Sequence, residues 1–255
     1  MRAVRAIAAN TFREAIRDRI LYLFVGFAVV MVVSTKLFGM LTVGDEAKIV
    51  KDIGLASMQF FSMLIAVMMS MILISREVDN RTVFNILAKP VRRWHFILGK
   101  YLGLVTIVAA NLLLITFVLM LMVLIVAGEL DLMLLFAGAM TMLEMLVLAA
   151  FATFFAVLTR PILGSLMTLA TFVVGHMSAD LWLLTRQLPG AFTRAVIAVV
   201  YYLLPNLERF NFRTEVVHHL AIPGAAVVWA GIYAIALVVV VLFLANLRFR
   251  RKDLK

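Results

Sequence analysis

The sequence predicts an all-α integral membrane protein with six transmembrane helices. To these it adds an amphipathic interfacial helix at the N-terminus, a short cytoplasmic helix between spans 2 and 3, and a re-entrant helix before span 6. Three observations lead there. The 255 residues are 65% hydrophobic and 15% charged, with a mean hydropathy of +1.08, whereas a soluble domain is about half apolar and about a quarter charged. Six apolar runs reach or exceed the ~20 residues needed to cross a ~30 Å hydrocarbon core. Basic residues collect beside alternate runs, which is how a chain sets its orientation in a membrane.

Residues 1–19 repeat Val4, Ile7, Ala8, Thr11, Phe12, Ala15 and Ile16 at helical spacing, with Arg5, Arg13, Glu14, Arg17 and Asp18 on the other face. Such a helix lies in the membrane interface; the other reading is a frayed cytoplasmic extension of the first span. The first apolar run follows without a clear small-x-small cleavage site, so it is read as a retained span rather than a signal peptide.

The spans are read as 20–41, 55–74, 96–127, 132–158, 162–184 and 224–247. Span 3 is long enough for its start to project from the bilayer. The connections then sort by charge. The N-terminal segment carries five arginines against Glu14 and Asp18, and residues 76–100 hold six basic and two acidic residues, a net +4. Thr159-Arg160-Pro161 is basic, and the tail 248–255 has five bases and one acid. Between these, 36–52 balances three lysines against three acids, and 128–131 is purely acidic. Both termini are therefore expected in the cytoplasm. Residues 186–223 carry four arginines yet fall outside by this count. Their apolar run, 195–204, gives only ~15 Å of helix, about half a bilayer, so it is read as re-entrant. The whole chain, 1–255, reads as one transmembrane domain.

The net charge of +10 does not indicate nucleic acid, because the basic residues flank apolar runs instead of forming one face. The absence of cysteine excludes disulfides and thiolate metal sites. No phosphate-binding G-x-x-x-x-G-K-[ST] loop, H-E-x-x-H or G-x-S-x-G motif is present. The methionine groups lack accompanying Cys or His and scatter around their helices, so no metal site is assigned. The His218-His219 pair reads as surface.

The first part of the segment 76–95 reads as a short amphipathic helix; the plainer reading is a cytoplasmic loop that only orients the protein. Glu77 and Arg81 stand four apart and can pair. Val83, Phe84, Ile86 and Leu87 form an apolar side, and Pro90 ends the helix. A rigid helix held between two spans can convey a push from a docked partner. Within the spans, Glu144 lies ~18 Å deep, near mid-membrane, where a charged acid costs roughly 2.5–3.5 kcal/mol and must face the bundle or a cavity. It is read either as a substrate contact or proton-sensitive group, or as a neutral acid bonded to a neighbouring helix. His176 and Asp180 share a face near the end of span 5 and read as an outer cap. Asn111 reads as an interhelical hydrogen-bonding group.

Glu77, Arg81-Thr82, Leu87, Lys89-Pro90, Arg92, Phe96 and Gly99-Lys100-Tyr101-Leu102-Gly103 resemble the loop after the second span in permeases of the type-2 ATP-binding-cassette (ABC) exporter family. A glycine often precedes that threonine in the family; here it is Arg81. Tyr201-Tyr202-Leu203-Leu204-Pro205-Asn206-Leu207-Glu208-Arg209-Phe210 also resembles a family segment before the last span. The resemblance implies a transmembrane subunit that pairs with a second permease, as a homodimer or heterodimer, in a prokaryotic cytoplasmic membrane. Two separate ATPase subunits would bind ATP and Mg, with no cofactor in this chain. It assigns ATPase coupling to Glu77, Arg81, Thr82, Lys89, Pro90, Arg92 and Arg93, and an external gate to Tyr201, Tyr202, Pro205 and Asn206. It makes Glu144, Asn111 and His176 candidates for a substrate path or for polar groups of the bundle. Two other classes remain open from the residues: an intramembrane enzyme acting on lipid or peptide, and a non-transporting scaffold or sensor.

Overall fold

The structure, a computed structural model, describes residues 2–39, 45–72, 93–178 and 204–251. Among them the secondary structure is entirely helical. The helices are α1 Arg2–Ile16, α2 Arg19–Gly39, α3 Glu46–Ser70, α4 Arg93–Ala127, α5 Met133–Leu158 and α6 Pro161–His176. A 3-10 turn, Leu207–Phe210, then leads to the short α7, Arg213–Val217, and to α8, Gly224–Arg251. Five helices are long and apolar enough to cross a membrane: α2, α3, α4, α5 and α8. Helix α6 is apolar but shorter; its 16 residues reach about 24 Å. The remainder of the expected fifth span, beyond residue 178, lies outside the described residues. So do 73–92, with most of the expected coupling helix, and the apolar run 195–203.

Local chemistry fixes the helix ends. Asp18 Oδ1 accepts from Ile20 N at 3.0 Å and opens α2, and Asp131 Oδ1 accepts from Met133 N at 2.9 Å and opens α5. Each carboxylate satisfies an amide that the first turn leaves unpaired. Gly128, at φ +75°, ends α4, in the left-handed conformation that glycine adopts without a Cβ penalty. Pro161 stands in the first turn of α6, where its missing N–H costs nothing.

The boundaries differ from the expected ones at α3. Residues 36–52 read as a charged connection, but the helix begins at Glu46. Lys51 is buried, and its ammonium has a carboxylate partner, so the charges extend the helix beyond the apolar run instead of ending it. Asp45 and Lys48 pair at 2.7 Å. The hydrogen bond and charge of Lys48 hold the Asp45 carboxyl below its ordinary range.

Helix α1 docks by its apolar stripe. Val4, Thr11 and Ala15 are buried, and the helix lies along the start of α4. Two glycines one turn apart permit the approach. A Cβ on Gly99 would stand 2.7 Å from Ile7 Cβ, and one on Gly103 would stand 2.5 Å from Thr11 Cβ. Small residues four apart let two helix backbones come together in this way. At 35 residues, α4 spans about 52 Å, well beyond the hydrocarbon core. Phe96 of α4 stacks on Phe249 of α8 with centroids 5.5 Å apart, joining these two spans at the α1 end of the bundle. The ends of α2, α4 and α6, with the starts of α3 and α5 and the short α7, form the opposite, far end.

Helix α5 is the most enclosed. Its alanines Ala149, Ala150, Ala152 and Ala156 are buried, and it packs on α3, α4, α6 and α8. Gly138 brings α5 against Thr116 of α4, whose Oγ1 would lie 3.0 Å from an added Cβ. Thr116 and Thr141 each donate to their own helix carbonyl four residues back, at 2.8 and 3.0 Å, so these hydroxyls add no unpaired donor to the apolar interior.

Candidate functional site

Glu144 is 1% exposed and stands eleven residues into α5, about 16 Å along its axis. Gln59 of α3 donates from Nε2 to Glu144 Oε2 at 2.8 Å. The same nitrogen lies 2.9 Å from His176 Nε2, at the last residue of α6. His176 Nδ1 is 3.0 Å from the carbonyl oxygen of Phe172. A carbonyl can only accept, so the imidazole hydrogen is on Nδ1 and Nε2 accepts from Gln59. One amide therefore joins a carboxylate to an imidazole and uses both of its hydrogens. Glu144 Oε1 accepts no hydrogen bond among the described residues and faces His176 Nε2 at 3.4 Å.

Gln59 and Glu144 of this cluster line a small cavity together with Thr141, Phe210, Asn211 and Arg213. About 20 Å³ is open to the centre of a water molecule, room for roughly one. The segment after residue 203 covers it. Leu207 packs so closely on Gly175 that a Cβ there would be 2.7 Å from Leu207 Cγ and 2.9 Å from Pro205 O. Asn206 N donates to Tyr233 Oη of α8 at 2.9 Å. Arg209 lies over the Tyr233 ring, 4.9 Å from its centroid.

A second set of charges ties the same segment to the far end. Lys51, with its side chain 8% exposed, pairs with Asp131 Oδ2 and lies 3.1 Å from His219 Nε2. One residue on, Asp52 pairs with Arg213. Asp131 thus opens α5 with one oxygen and holds Lys51 with the other.

The structure brings Glu144 and His176 together. Asn111 stands apart from them, donating to Ser62 Oγ on α3 at 3.4 Å. Pro205 and Asn206 belong to the covering segment. Tyr201, Tyr202, Asp180 and the coupling residues Glu77, Arg81, Thr82, Lys89, Pro90 and Arg92 lie outside the described residues, and Arg93 begins α4. His176 was read as an outer cap beside Asp180. Its ring meets Gln59 of α3 and faces Glu144 of α5. Gln59, Lys51, Asp52, Asp131 and Arg213 were not singled out in the sequence. A lone amide among the apolar residues of span 2 was the available signal for Gln59. His219 is exposed in the pairing with Lys51. Among the described residues, no three His, Asp or Glu side chains are gathered as a metal site.

The family model for ABC-2 family transporter proteins matches residues 5–254. No curated protein matches the chain. With its long apolar helices and a match over nearly its whole length, this multi-pass membrane chain belongs to the ABC-2 transporter family.

Proposed function

We propose that the chain is the permease subunit of an ABC exporter in a prokaryotic cytoplasmic membrane. Six spans, including one that continues α6, enclose a path used by alternating access. Both termini are cytoplasmic, and the α1 end of the bundle faces the cytoplasm. Two permeases pair, as a homodimer or heterodimer, and two separate ATPase subunits bind ATP and Mg. Residues 76–95 dock on an ATPase and pass on its closure, with Glu77, Arg81, Thr82, Lys89, Pro90, Arg92 and Arg93 at the contact. Residues 186–223, with Tyr201, Tyr202, Pro205 and Asn206, form an external gate. Glu144 and His176 line the path or its wall, while Asn111 helps hold α3 to α4.

The observation that carries the reading is the family match across residues 5–254. It is supported by the buried Glu144, bonded to Gln59, at a cavity that the segment after residue 203 covers. The reading is tested by purifying the chain with its native neighbours from the membrane. An ATPase that copurifies, and whose turnover in liposomes depends on this chain, is the expected result. Hydrolytic activity from the chain alone, without an ATPase, would instead favour the intramembrane enzyme.

A further inference from the structure

We propose that Gln59, Glu144 and His176 form a proton-binding site in the membrane interior, filled from the far end, whose occupancy decides whether α3 is hydrogen-bonded to α6. The proposal rests on the transporter reading only for what the proton is coupled to.

The argument starts from donors and acceptors. With the hydrogen on Nδ1, His176 Nε2 is an acceptor, and Gln59 fills it at 2.9 Å. Glu144 Oε2 takes the other amide hydrogen, and Oε1 is left facing Nε2 at 3.4 Å without a hydrogen bond. A proton arriving as hydronium forms an N–H bond with the Nε2 lone pair and leaves water behind. Nε2 is then a donor and can no longer accept from Gln59. Two donors face each other, the Gln59–His176 bond breaks, and the new N–H turns to Glu144 Oε1, a short movement away. Gln59 keeps its bond to Oε2. The α3–α6 link through the amide is exchanged for an α5–α6 ion pair. A carboxylate beside a neutral imidazole carries one net charge into the hydrocarbon core; the protonated pair carries none.

The surroundings suit a proton better than a larger ligand. The cavity above Glu144 admits about one water, which is enough to relay a proton. Its titratable lining groups are Glu144 and Arg213, and Arg213 is held by Asp52 of α3. On the covering segment Glu208 is held by Asn211 Nδ2 at 2.9 Å, and Arg209 lies on Tyr233 of α8. On α4, Tyr101 donates to the Leu146 carbonyl of α5 at 3.2 Å. These groups have partners of their own, whereas Oε1 of Glu144 has an open acceptor position. Leu207 and Pro205 press on Gly175 beside His176, so rearrangement of the imidazole acts on the segment that covers the site.

The test is 15N NMR of histidine-labelled full-length chain in lipid nanodiscs, with the His176 signals identified by His176→Gln. On acidification to about pH 5, wild-type His176 should pass from the pattern of one protonated nitrogen to that of two. The two-proton pattern should be lost in Glu144→Gln, which removes the counter-ion. In Gln59→Leu it should already be present at neutral pH, because nothing then occupies Nε2. A wild-type His176 that keeps one proton throughout, or a Glu144→Gln variant that responds like wild type, overturns the proposal. If Glu144→Gln does not fold, wild type and Gln59→Leu still decide it. The measurement needs no ATPase and no transport, so failure of the exporter reading would leave its result unchanged.

Discussion

Gly99 of α4 and Ile7 of α1 approach so closely that a Cβ on the glycine would stand 2.7 Å from Ile7 Cβ, with the Val4 carbonyl oxygen at 3.2 Å. Neither atom is the far end of a flexible chain, so a methyl there must push the two helices apart. Overpacking of this kind costs about 1–3 kcal/mol. Gly99→Ala should loosen α1, so that trypsin cuts after the exposed Arg5 and Arg13 several times faster than in the wild type. Gly231→Ala, in α8 with nothing within 4 Å, is the control and should be cut at the wild-type rate. Equal cleavage of all three proteins would mean that α1 is not held by this contact.

The Lys51–Asp131 pair makes a second prediction. Both side chains are at least nine-tenths buried, and removing one partner of such a pair leaves a charge without compensation. Lys51→Met should therefore lower stability by about 3 kcal/mol, read from thermal or denaturant unfolding in detergent. The double variant Lys51→Met with Asp131→Asn should recover part of that loss, because neither charge then remains buried alone. Asp131 would still lose some of its effect as the opening residue of α5. Losses that simply add in a double-mutant cycle would show that the two side chains do not interact.

Much of the helical architecture could be read before the structure because the hydrocarbon core dictates length and composition. The runs at α2, α4, α5 and α8 are continuous and apolar, and their limits fall near those expected. The site was only half legible. Glu144 announced itself by the cost of burying an acid, and the resemblance grouped it with His176, but nothing in the chain pointed from it to Gln59, 85 residues earlier. Spans that are apolar all round give no periodicity by which to infer which face turns inward. The rotation of α3 and α6 about their axes, and hence the meeting of the three side chains, comes from packing. The N-terminal helix was legible as amphipathic. That its apolar stripe meets Gly99 and Gly103 was not, although the two glycines stood in plain view four residues apart.

Coupling to an ATPase is tested at the segment 76–95. Glu77 and Arg81 are spaced to pair along a helix, and the proposed function requires that helix to stay stiff under load. Arg81→Glu sets two acids four residues apart and should lower permease-dependent ATP turnover several-fold while the chain still inserts and purifies. Glu77→Arg combined with Arg81→Glu restores opposite charges and should recover turnover in part if the pairing is what matters. No recovery, with the ATPase still bound in a pull-down, would assign Arg81 to the ATPase contact instead. Wild-type turnover in both variants would remove the segment from the mechanism.

The proposed orientation makes the last prediction, and the cysteine-free sequence allows it to be read cleanly. Thr214, exposed on α7, lies at the far end with Arg213, which Asp52 holds, and near His219, which Lys51 meets. The proposed function puts that end outside. Asn85, between the second and third expected spans, and Lys255, at the end of the basic tail, fall inside by the charge rule. Single cysteines at these three positions, labelled in intact cells with a maleimide that does not cross the membrane, should give signal at Thr214→Cys alone. Permeabilised cells should then give signal at all three. Labelling of Lys255→Cys from outside would mean that the chain crosses the membrane an odd number of times. In that case the apolar run 195–204 would have to span, and the external gate proposed for Tyr201 and Tyr202 would be lost. Labelling of Asn85→Cys from outside would be more severe, because no ATPase in the cytoplasm could reach the segment assigned to dock it.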